Sequence, residues 1–411
     1  MTSRRQFLAL GMGGVLSGLS GCSSVVWGRT DVTFESWRPD DGSWPLPFYD
    51  LQNIGSNPSA SPPSNDATVV WSTETDGHNW GHLVADDHTI LYGEGARLLT
   101  LGKSQQRWNE GGHVYTAAFG PPAPDSERSL YVALQSADEE KATVVALDVT
   151  KDETTERFRT VIDSQRIASL VPTETALFVG RSETEMLVLD PKTGDRLDEM
   201  YGRQGAISDG ALVTTMDTRI TAHRAEPAGT ISSGEITTDW TAAEQDTRGR
   251  LFHPAIADGR VLLGSYGGPG MTGHLHCFDV TSGATLWEPR SFGWATTTPS
   301  IEGSVGYVCG SNPGEGTGRI AAVSIDDGTL LWERETDWEP FEPVAADGTV
   351  LVRRDDPAGE RAAGYIEAID GETGETQWSA TFENRVTTVR PVGNVVYVGT
   401  GKRLSVLGSA K

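Results

Sequence analysis

The chain has 411 residues, of which 57 are acidic and 33 are basic, and its formal net charge is −24. This excess of acid argues against nucleic-acid binding, which requires clustered basic side chains. Only six of the basic residues are Lys, and the acids are spread along the chain. That pattern is typical of adaptation to very high salt, where repulsion is screened within about 3 Å at 1 M. The alternative is an acidic surface made for a cationic partner.

Residues 1–21 have the pattern of an export signal. The paired Arg4 and Arg5 precede Phe7, and an apolar, Gly-rich stretch follows as far as Leu19. A charged start, a short apolar run and small residues before a cleavage point make up a secretory signal. The arginine pair resembles a twin-arginine signal, which exports proteins that have already folded.

A Leu-Ser-Gly-Cys sequence ends at Cys22. It resembles a lipobox, in which the Cys receives a lipid and becomes the mature N-terminus. The resemblance implies an extracytoplasmic protein held on the outer face of the cell membrane by a lipid on Cys22. Whether one acyl-type anchor suffices is left open, because a single chain holds a protein only marginally.

Residues 22–66 are polar and rich in Pro, Ser and Asp, which predicts an extended linker and lead-in. The stretch from Trp44 to Pro58 contains several aromatic residues, which a pure linker would lack. We therefore expect this stretch to lie against the surface of the folded domain.

A Trp-ended segment recurs along the rest of the chain. His274–Trp287 reads as a strand, a tight turn opened by Asp279 and closed by Gly283, and a second strand ending on Trp287. Asp can cap the backbone of such a turn, and Gly accepts the positive φ that the turn needs. Further copies, some degenerate, lie at 144–158, 187–198, 320–332 and 365–378. Repetition at one period of this length determines the fold.

The strand signals recur eight times, which predicts an all-β fold: an eight-bladed β-propeller of four-stranded antiparallel blades. Only seven fourth strands follow their third strands. They end near Trp108, Phe158, Asp198, Trp240, Trp287, Trp332 and Trp378. Ala67–Trp71, ahead of the first repeat, supplies the eighth. We therefore predict a propeller over 67–411 that is closed by pairing of its N- and C-terminal strands, which removes an open edge.

The Asp, Gly and Trp spacing of this repeat resembles the tryptophan-docking repeat of propellers of the pyrroloquinoline quinone (PQQ) type. The resemblance implies that the repeat tryptophans pack between neighbouring blades. The candidates for this docking role are Trp71, Trp108, Trp240, Trp287, Trp332 and Trp378.

Quinone-dependent catalysis is the enzymatic alternative. The dehydrogenases that the repeats resemble carry an adjacent Cys-Cys disulfide and hold Ca²⁺ with a Glu, an Asn and an Asp. After Cys22 the chain has only Cys277 and Cys309, which we expect to be buried free thiols, with a disulfide as the alternative. No catalytic or metal-binding set can be assigned from the sequence, so we expect neither PQQ nor Ca²⁺ and favour a non-enzyme.

Side chains at the start of each blade's first strand should surround the mouth of the central channel. Several aromatic and His residues there could form a ligand funnel. The candidates are His78, Trp80, His82, His113, Tyr115, Arg166, His253, Trp294, Trp338 and Arg385. The stronger explanation is that they fill the channel and pack the loops.

These features together favour a non-catalytic, lipid-anchored propeller that serves as a protein-binding scaffold at the cell surface, similar to BamB-type lipoproteins. The partners would be a surface protein and the membrane, with no nucleic acid, and the propeller would be monomeric. The alternative is a PQQ-dependent dehydrogenase or a small-ligand-binding propeller that uses the channel funnel.

Overall fold

The regular structure of the chain is entirely β-strand where it can be described. The computed structural model describes residues 32–75, 79–100, 105–124, 126–136, 140–182, 185–208, 210–226, 235–242, 250–268, 271–312, 315–355 and 363–409. Within these ranges, no helix is long and apolar enough to span a bilayer.

The strands fall into eight groups, which are the blades of a propeller. The N-terminal strand is β1 Ala67–Glu74. Blades 1 and 2 contain β2 Asn79–Ala85, β3 His88–Gly93, β4 Gly95–Thr100, β5 Gln105–Glu110, β6 Val114–Gly120, β7 Arg128–Gln135, β8 Ala142–Val149 and β9 Thr154–Ile162. Blades 3 and 4 contain β10 Ile167–Pro172, β11 Leu177–Arg181, β12 Met186–Leu189, β13 Arg196–Met200, β14 Gln204–Ser208, β15 Ala211–Met216, β16 Arg219–Glu226 and β17 Glu235–Ala242.

The second half of the chain repeats the plan with more interrupted inner strands. Blades 5 and 6 contain β18 Arg250–Ala257, β19 Arg260–Tyr266, β20 Gly273–Asp279, β21 Arg290–Gly293, β22 Ala295–Thr296, β23 Ser300–Glu302, β24 Val305–Asn312, β25 Thr317–Ser324 and β26 Leu330–Thr336. Blades 7 and 8 contain β27 Glu339–Pro340, β28 Val344–Ala346, β29 Thr349–Asp355, β30 Gly364–Asp370, β31 Thr376–Phe382, β32 Val386–Val392, β33 Val395–Thr400 and β34 Arg403–Ser409.

Consecutive strands pair antiparallel in every blade, from the inner strand at the channel to the outer strand at the rim. The short β22 pairs with both β19 and β24, so blades 5 and 6 form one continuous sheet. Middle strands such as β7 are buried along almost their whole length, because neighbouring blades cover both faces. Outer strands such as β26 alternate between half-buried and exposed residues.

The ends of the chain close the ring. Strand β1 pairs antiparallel with β34, from Ala67 opposite Ser409 to Glu74 opposite Arg403, with a bulge between Val69 and Trp71. Blade 8 therefore consists of β32, β33, β34 and the N-terminal β1. The prediction of an eight-bladed, all-β propeller closed by its two ends is confirmed.

Blade 5 departs from the predicted pattern at its outer strand. The sequence predicted a strand ending on Trp287, but Trp287 lies between an isolated bridge at Thr285 and the short β21. Pro289 explains the interruption, because proline lacks a backbone N–H and restricts the residue before it.

The repeat tryptophans and glycines meet across the blade interfaces. A Cβ atom added to Gly374 would lie 2.9 Å from the Trp332 ring of the preceding blade. The Trp332 indole N–H donates to the Gly371 carbonyl, at 2.8 Å, in the same turn. The pairs with this ring-on-glycine arrangement are Trp240–Gly283, Trp287–Gly328, Trp332–Gly374 and, with Phe in place of Trp, Phe158–Gly194.

The remaining predicted docking residues have other surroundings. Trp378 donates its indole N–H to the Pro63 carbonyl, at 2.6 Å, where the chain leads into β1. Trp108 is half-buried and packs against the core shared by blades 1, 2, 7 and 8. Trp71 lines a small cavity between β1 and blade 1, together with Arg97 and Leu99. The aromatic contact thus varies from one interface to another.

Candidate functional site

The lead-in segment, residues 32–63 in the described chain, crosses the face of the propeller where the inner strands end. Trp44 exchanges backbone hydrogen bonds with Val84 at the end of β2, with N–O distances of 2.6 and 2.9 Å. Backbone N–H groups of blades 2, 4, 5 and 6 then donate to successive carbonyls of the lead-in. These pairs are Phe119 to Pro45, Ile207 to Leu51, Ile256 to Gln52 and Ile301 to Ile54.

The same segment continues to the last two blades. The N–H of Asn57 donates to the Ala345 carbonyl in blade 7, and the N–H of Ser61 donates to the Gly393 carbonyl in blade 8. Blade 3 is reached just upstream, where the Trp37 indole N–H donates to the Pro172 carbonyl at 2.9 Å. The chain ahead of β1 therefore bonds to all eight blades and closes this mouth of the channel.

The lead-in is more deeply buried than we expected for a segment on the domain surface. Trp44 is 0% exposed and Leu51 is 2% exposed, and both belong to the hydrophobic core. Inner-strand ends carry backbone polar groups that face the channel, and buried groups of this kind need partners. The lead-in supplies those partners and fills the channel end with apolar side chains.

A cavity of about 150 Å³ lies against the lead-in inside the channel. Its walls include Phe48 and Asp50 of the lead-in, Tyr115 of β6, Ser169 of β10 and His253 of β18. This cavity joins inner strands of blades 2, 3, 4 and 5, and two of the predicted funnel residues, Tyr115 and His253, line it.

Asp50 and His253 have shifted pKa values at this cavity. Burial raises the pKa of Asp50 to about 7, although its Oδ1 accepts hydrogen bonds from the backbone N–H groups of Gln52 and Ile54. Burial, followed by the positive charge of Arg203, lowers the pKa of His253 to about 3. The His253 ring lies 4.5 Å from the Phe48 ring. His253 is therefore a neutral packing group at neutral pH.

Three of the predicted funnel residues come together between blades 2 and 3. The rings of His113 and Tyr115 lie 5.1 Å apart in an edge-on arrangement. The Tyr115 hydroxyl donates to the Gln165 carbonyl at 2.5 Å. Burial raises the pKa of Tyr115, and the positive charge of Arg166 opposes that rise.

Other predicted funnel residues lie apart from this group. Trp338 packs edge-on against Tyr365 of β30, with ring centres 5.6 Å apart. The backbone N–H of Trp294 donates to the Asn312 side chain at 3.1 Å. Trp80 is 48% exposed and Arg385 is half-buried, each at the first strand of its own blade. The structure does not gather these four residues into one site.

His82 has a different position from the one the sequence suggested. It is 0% exposed, and its Nδ1 is hydrogen-bonded to the Thr388 hydroxyl of β32. Burial first, and then the charge of Arg390, lower its pKa. His82 belongs to the packing between blades 8 and 1 and does not line the funnel. His78, Arg4, Arg5 and Cys22 lie outside the described residues.

Sequence reasoning missed the residues that the lead-in brings into the channel. Phe48 and Asp50 line the cavity, and the Arg390 guanidinium lies 5.1 Å from the centre of the Trp44 ring. Asp50 is followed two residues later by Gln52, whose backbone N–H it caps. That local turn was the available signal, because Asp is favoured where its carboxylate can cap the backbone.

The residues around the channel do not fit PQQ with Ca²⁺. The cavity of about 150 Å³ is smaller than the roughly 300 Å³ at which small-molecule sites usually begin. Among the described residues, no three His, Cys, Asp or Glu side chains are grouped so as to hold a metal ion. Cys277 and Cys309 are buried free thiols in separate core clusters, where burial raises the pKa of each.

Comparison with known proteins gives both a sequence match and several structural matches. Residues 217–390 and 316–409 match the family model of the outer membrane protein assembly factor BamB. No curated protein matches the chain significantly. These matched ranges cover the C-terminal repeats, in which the Asp, Gly and Trp pattern is clearest.

Solved propellers of different activities share the fold. BamB from Moraxella catarrhalis is 17% identical, with a TM-score of 0.58 over 84% of this chain and 98% of that one. A europium-containing methanol dehydrogenase is 10% identical, with a TM-score of 0.60 over 90% of this chain and 98% of that one. A quinohemoprotein alcohol dehydrogenase from Pseudomonas putida is 11% identical, with a TM-score of 0.60 over 90% of this chain and 81% of that one.

At sequence identities this low, the structural matches support the fold alone, because proteins with the same fold can have many different functions. They agree with the closed ring of eight four-stranded blades, the tryptophan-on-glycine contacts and the match of the C-terminal repeats. The chain is an eight-bladed β-propeller whose residues 217–409 match the BamB family model.

Proposed function

We propose that this protein is a non-catalytic scaffold that binds another protein outside the cytoplasm and is anchored to the cell membrane by a lipid on Cys22. The observation that carries the proposal is the lead-in, which bonds to all eight blades and closes one mouth of the channel. A cavity of about 150 Å³ lies in the channel against the lead-in. The match to the assembly factor BamB supports a protein-binding role.

The position of the lead-in also suggests how the propeller is oriented. The first described residues reach the structure at the closed face, where the Thr33 N–H donates to the Thr175 hydroxyl at 2.9 Å. Nine residues lie between Cys22 and Val32, so the ten Cα–Cα steps span at most about 35 Å. We propose that the closed face lies towards the membrane and that the open face is presented to the partner.

Site-specific photo-crosslinking in the native cell tests the scaffold proposal. Crosslinkers at the exposed Gln165, Asp217 and Lys402 would report on the open face, and crosslinkers at Asp87 and Asp326 on the closed face. We expect one protein to be captured from all three open-face positions and from neither closed-face position. Absence of any captured protein, or equal capture from both faces, would count against the proposal.

The lipid anchor has its own test. Cys22→Ser should move the protein from the membrane fraction into the medium, since Ser cannot take the thioether-linked lipid. Membrane fractionation with immunoblotting measures the distribution, and Cys277→Ser serves as a control that leaves the signal intact. Retention of the Cys22→Ser protein in the membrane would refute the anchor.

A further inference from the structure

Another cavity lies away from the channel, beside the strand that closes the ring. It has a volume of about 430 Å³ and lies between the outer parts of blades 7 and 8, on the open face. We call it the seam cleft, defined by the lining residues Val69, Glu74, Thr75, Thr381, Phe382, Glu383, Asn384, Thr400, Lys402, Arg403 and Ser405. Its volume falls within the range of about 300–1,000 Å³ that small-molecule sites occupy.

The seam cleft exists because two parts of the chain meet there. One wall is the end of β31 and the loop after it, with Phe382 and Asn384. The opposite wall is the end of β1 together with the turn between β33 and β34, joined by a hydrogen bond of 2.9 Å from the Thr75 N–H to the Lys402 carbonyl. Strand pairing fixes the parts of both walls that belong to β1, β31, β33 and β34, whereas Glu383 and Asn384 lie in the loop after β31.

The charges around the seam cleft cancel. Two carboxylates, Glu74 and Glu383, face two cations, Lys402 and Arg403. Glu74 and Arg403 form an ion pair of 3.4 Å with each other. A ligand of either single sign would meet like charges as well as opposite ones, so the balance favours a neutral ligand.

Hydroxyl and amide groups supply most of the other polar contacts. Ser405 and Thr400 are 2% and 3% exposed, and the Thr400 hydroxyl is engaged with the Arg403 carbonyl at 3.2 Å. The Ser405 hydroxyl and the Asn384 amide belong to residues that line the cleft as well. An amide offers both donors and an acceptor, and a hydroxyl offers both as well.

The seam cleft is also lined by one aromatic ring, that of Phe382. Phe382 is half-buried, packs against the core on one side and lines the cleft. An aromatic face supplies a flat apolar surface, and the carbon-bound hydrogens of a sugar ring can pack against it. The hydroxyls of the sugar can then exchange hydrogen bonds with the side chains of Asn384 and Ser405. Hydrogen bonding and stacking also persist in concentrated salt, which screens charge recognition within a few Å.

We propose that the seam cleft binds a neutral saccharide, either as a free sugar or as part of a glycan chain. The full chain would be titrated in multimolar KCl with glucose, mannose, galactose and N-acetylglucosamine, with acetate and inorganic phosphate as charged probes. Calorimetry and saturation-transfer NMR would measure binding. Asn384→Ala and Ser405→Ala are the test variants. Gln165→Ala, on the same face between blades 2 and 3, is the control.

We expect at least one neutral sugar to bind saturably, each test variant to weaken it about fivefold or more, and Gln165→Ala to leave it unchanged. Tighter binding of a linear trisaccharide than of its monosaccharide would identify a glycan chain as the source, and equal binding a free sugar. The proposal is overturned if no sugar binds, if acetate or phosphate binds as well, or if both variants bind normally. Protein capture is a separate readout, so the scaffold proposal and this one can fail independently.

Discussion

Gly374 illustrates how single residues set the spacing between blades. Its φ is +75°, a conformation that side chains resist, and its missing Cβ leaves room for the Trp332 ring. An indole ring buries a large apolar area when it packs against the neighbouring turn. This burial stabilises each blade interface at which a ring lies on a glycine. The Asp-x-x-[Thr/Ser]-Gly spacing of the repeat predicted the turn, and the structure shows the contact that the glycine permits.

Gly374→Ala should therefore destabilise the protein more than its backbone strain alone would. The strain of positive φ costs about 1–2 kcal/mol, and displacement of the Trp332 ring adds to it. Gly348→Ala is the matched control, since its φ is +72° and a Cβ there meets nothing within 4 Å. Thermal or denaturant unfolding measures both variants. Equal losses for the two would show that the ring contact has no energetic weight.

Asp50 makes the stability of the fold depend on pH. Its pKa in the folded protein is about 7, above the ordinary value of 3.8, so the fold favours the protonated form. The stabilisation is present in full below about pH 4 and is lost as the pH rises through 7. In Asp50→Asn the Oδ1 can still accept from Gln52 and Ile54, but the charge is absent.

We expect Asp50→Asn to be close to the natural protein at pH 4 and to be more stable by about 4 kcal/mol at pH 8. Chemical unfolding at several pH values measures the difference. Asp87→Asn, at an exposed turn, is the control and should change little at either pH. A stability difference for Asp50→Asn that stays constant between pH 4 and 8 would mean that Asp50 does not titrate in this range.

At the scale of elements, β1 carries the closure of the ring. It is the fourth strand of blade 8, and its partner β34 comes from the other end of the chain. Strand β1 was predicted from the number of strand signals in the sequence. Only seven of the eight repeats had an outer strand, and Ala67–Trp71 was a strand signal that belonged to no repeat. Such counting succeeds because each blade needs four strands to cover its neighbour.

Deletion of Ala67–Trp71 should lower the melting temperature of the whole propeller, since blade 8 then loses most of its outer strand and exposes β34. A double variant, Val69→Thr with Val70→Thr, is the control. Both valines are more than half exposed, and Thr keeps the β-branched shape that strands favour. Unchanged melting of the deletion variant in high salt would show that β1 does not close the ring.

The lead-in is the element whose burial the sequence did not predict. Its aromatic residues predicted contact with the domain surface, but most of its composition is that of a linker and it follows no repeat. Its environment exists only after eight inner strands have assembled around a channel, so no local pattern encodes it. Asn57 shows the result: it is 0% exposed, and its amide donates to the carbonyls of Ser43 and Pro391 at 3.1 and 3.0 Å.

Prediction of the candidate site was less complete than prediction of the fold. Position at the start of an inner strand was enough to find His113, Tyr115 and Arg166, which lie together. It could not tell that His82 turns into the interface between blades 8 and 1, because alternate residues on a strand face opposite sides. The cavity also needed Phe48 and Asp50, which come from the lead-in.

At the scale of the whole molecule, the propeller has one closed face and one open face. The closed face is sealed by a segment that is bonded to every blade, and a cavity of about 150 Å³ lies in the channel against it. The same ring also accommodates dehydrogenases among its structural relatives. A scaffold role for this propeller therefore requires that its channel does not serve quinone chemistry.

Titration of the full chain with PQQ and Ca²⁺ in multimolar salt tests that claim most directly. Cofactor absorbance would report binding, dye-linked oxidation of alcohols and sugars would report turnover, and a quinoprotein dehydrogenase would serve as the positive control. Our account predicts neither saturable binding nor turnover. Saturable PQQ binding with substrate oxidation would contradict it and would make this propeller an enzyme.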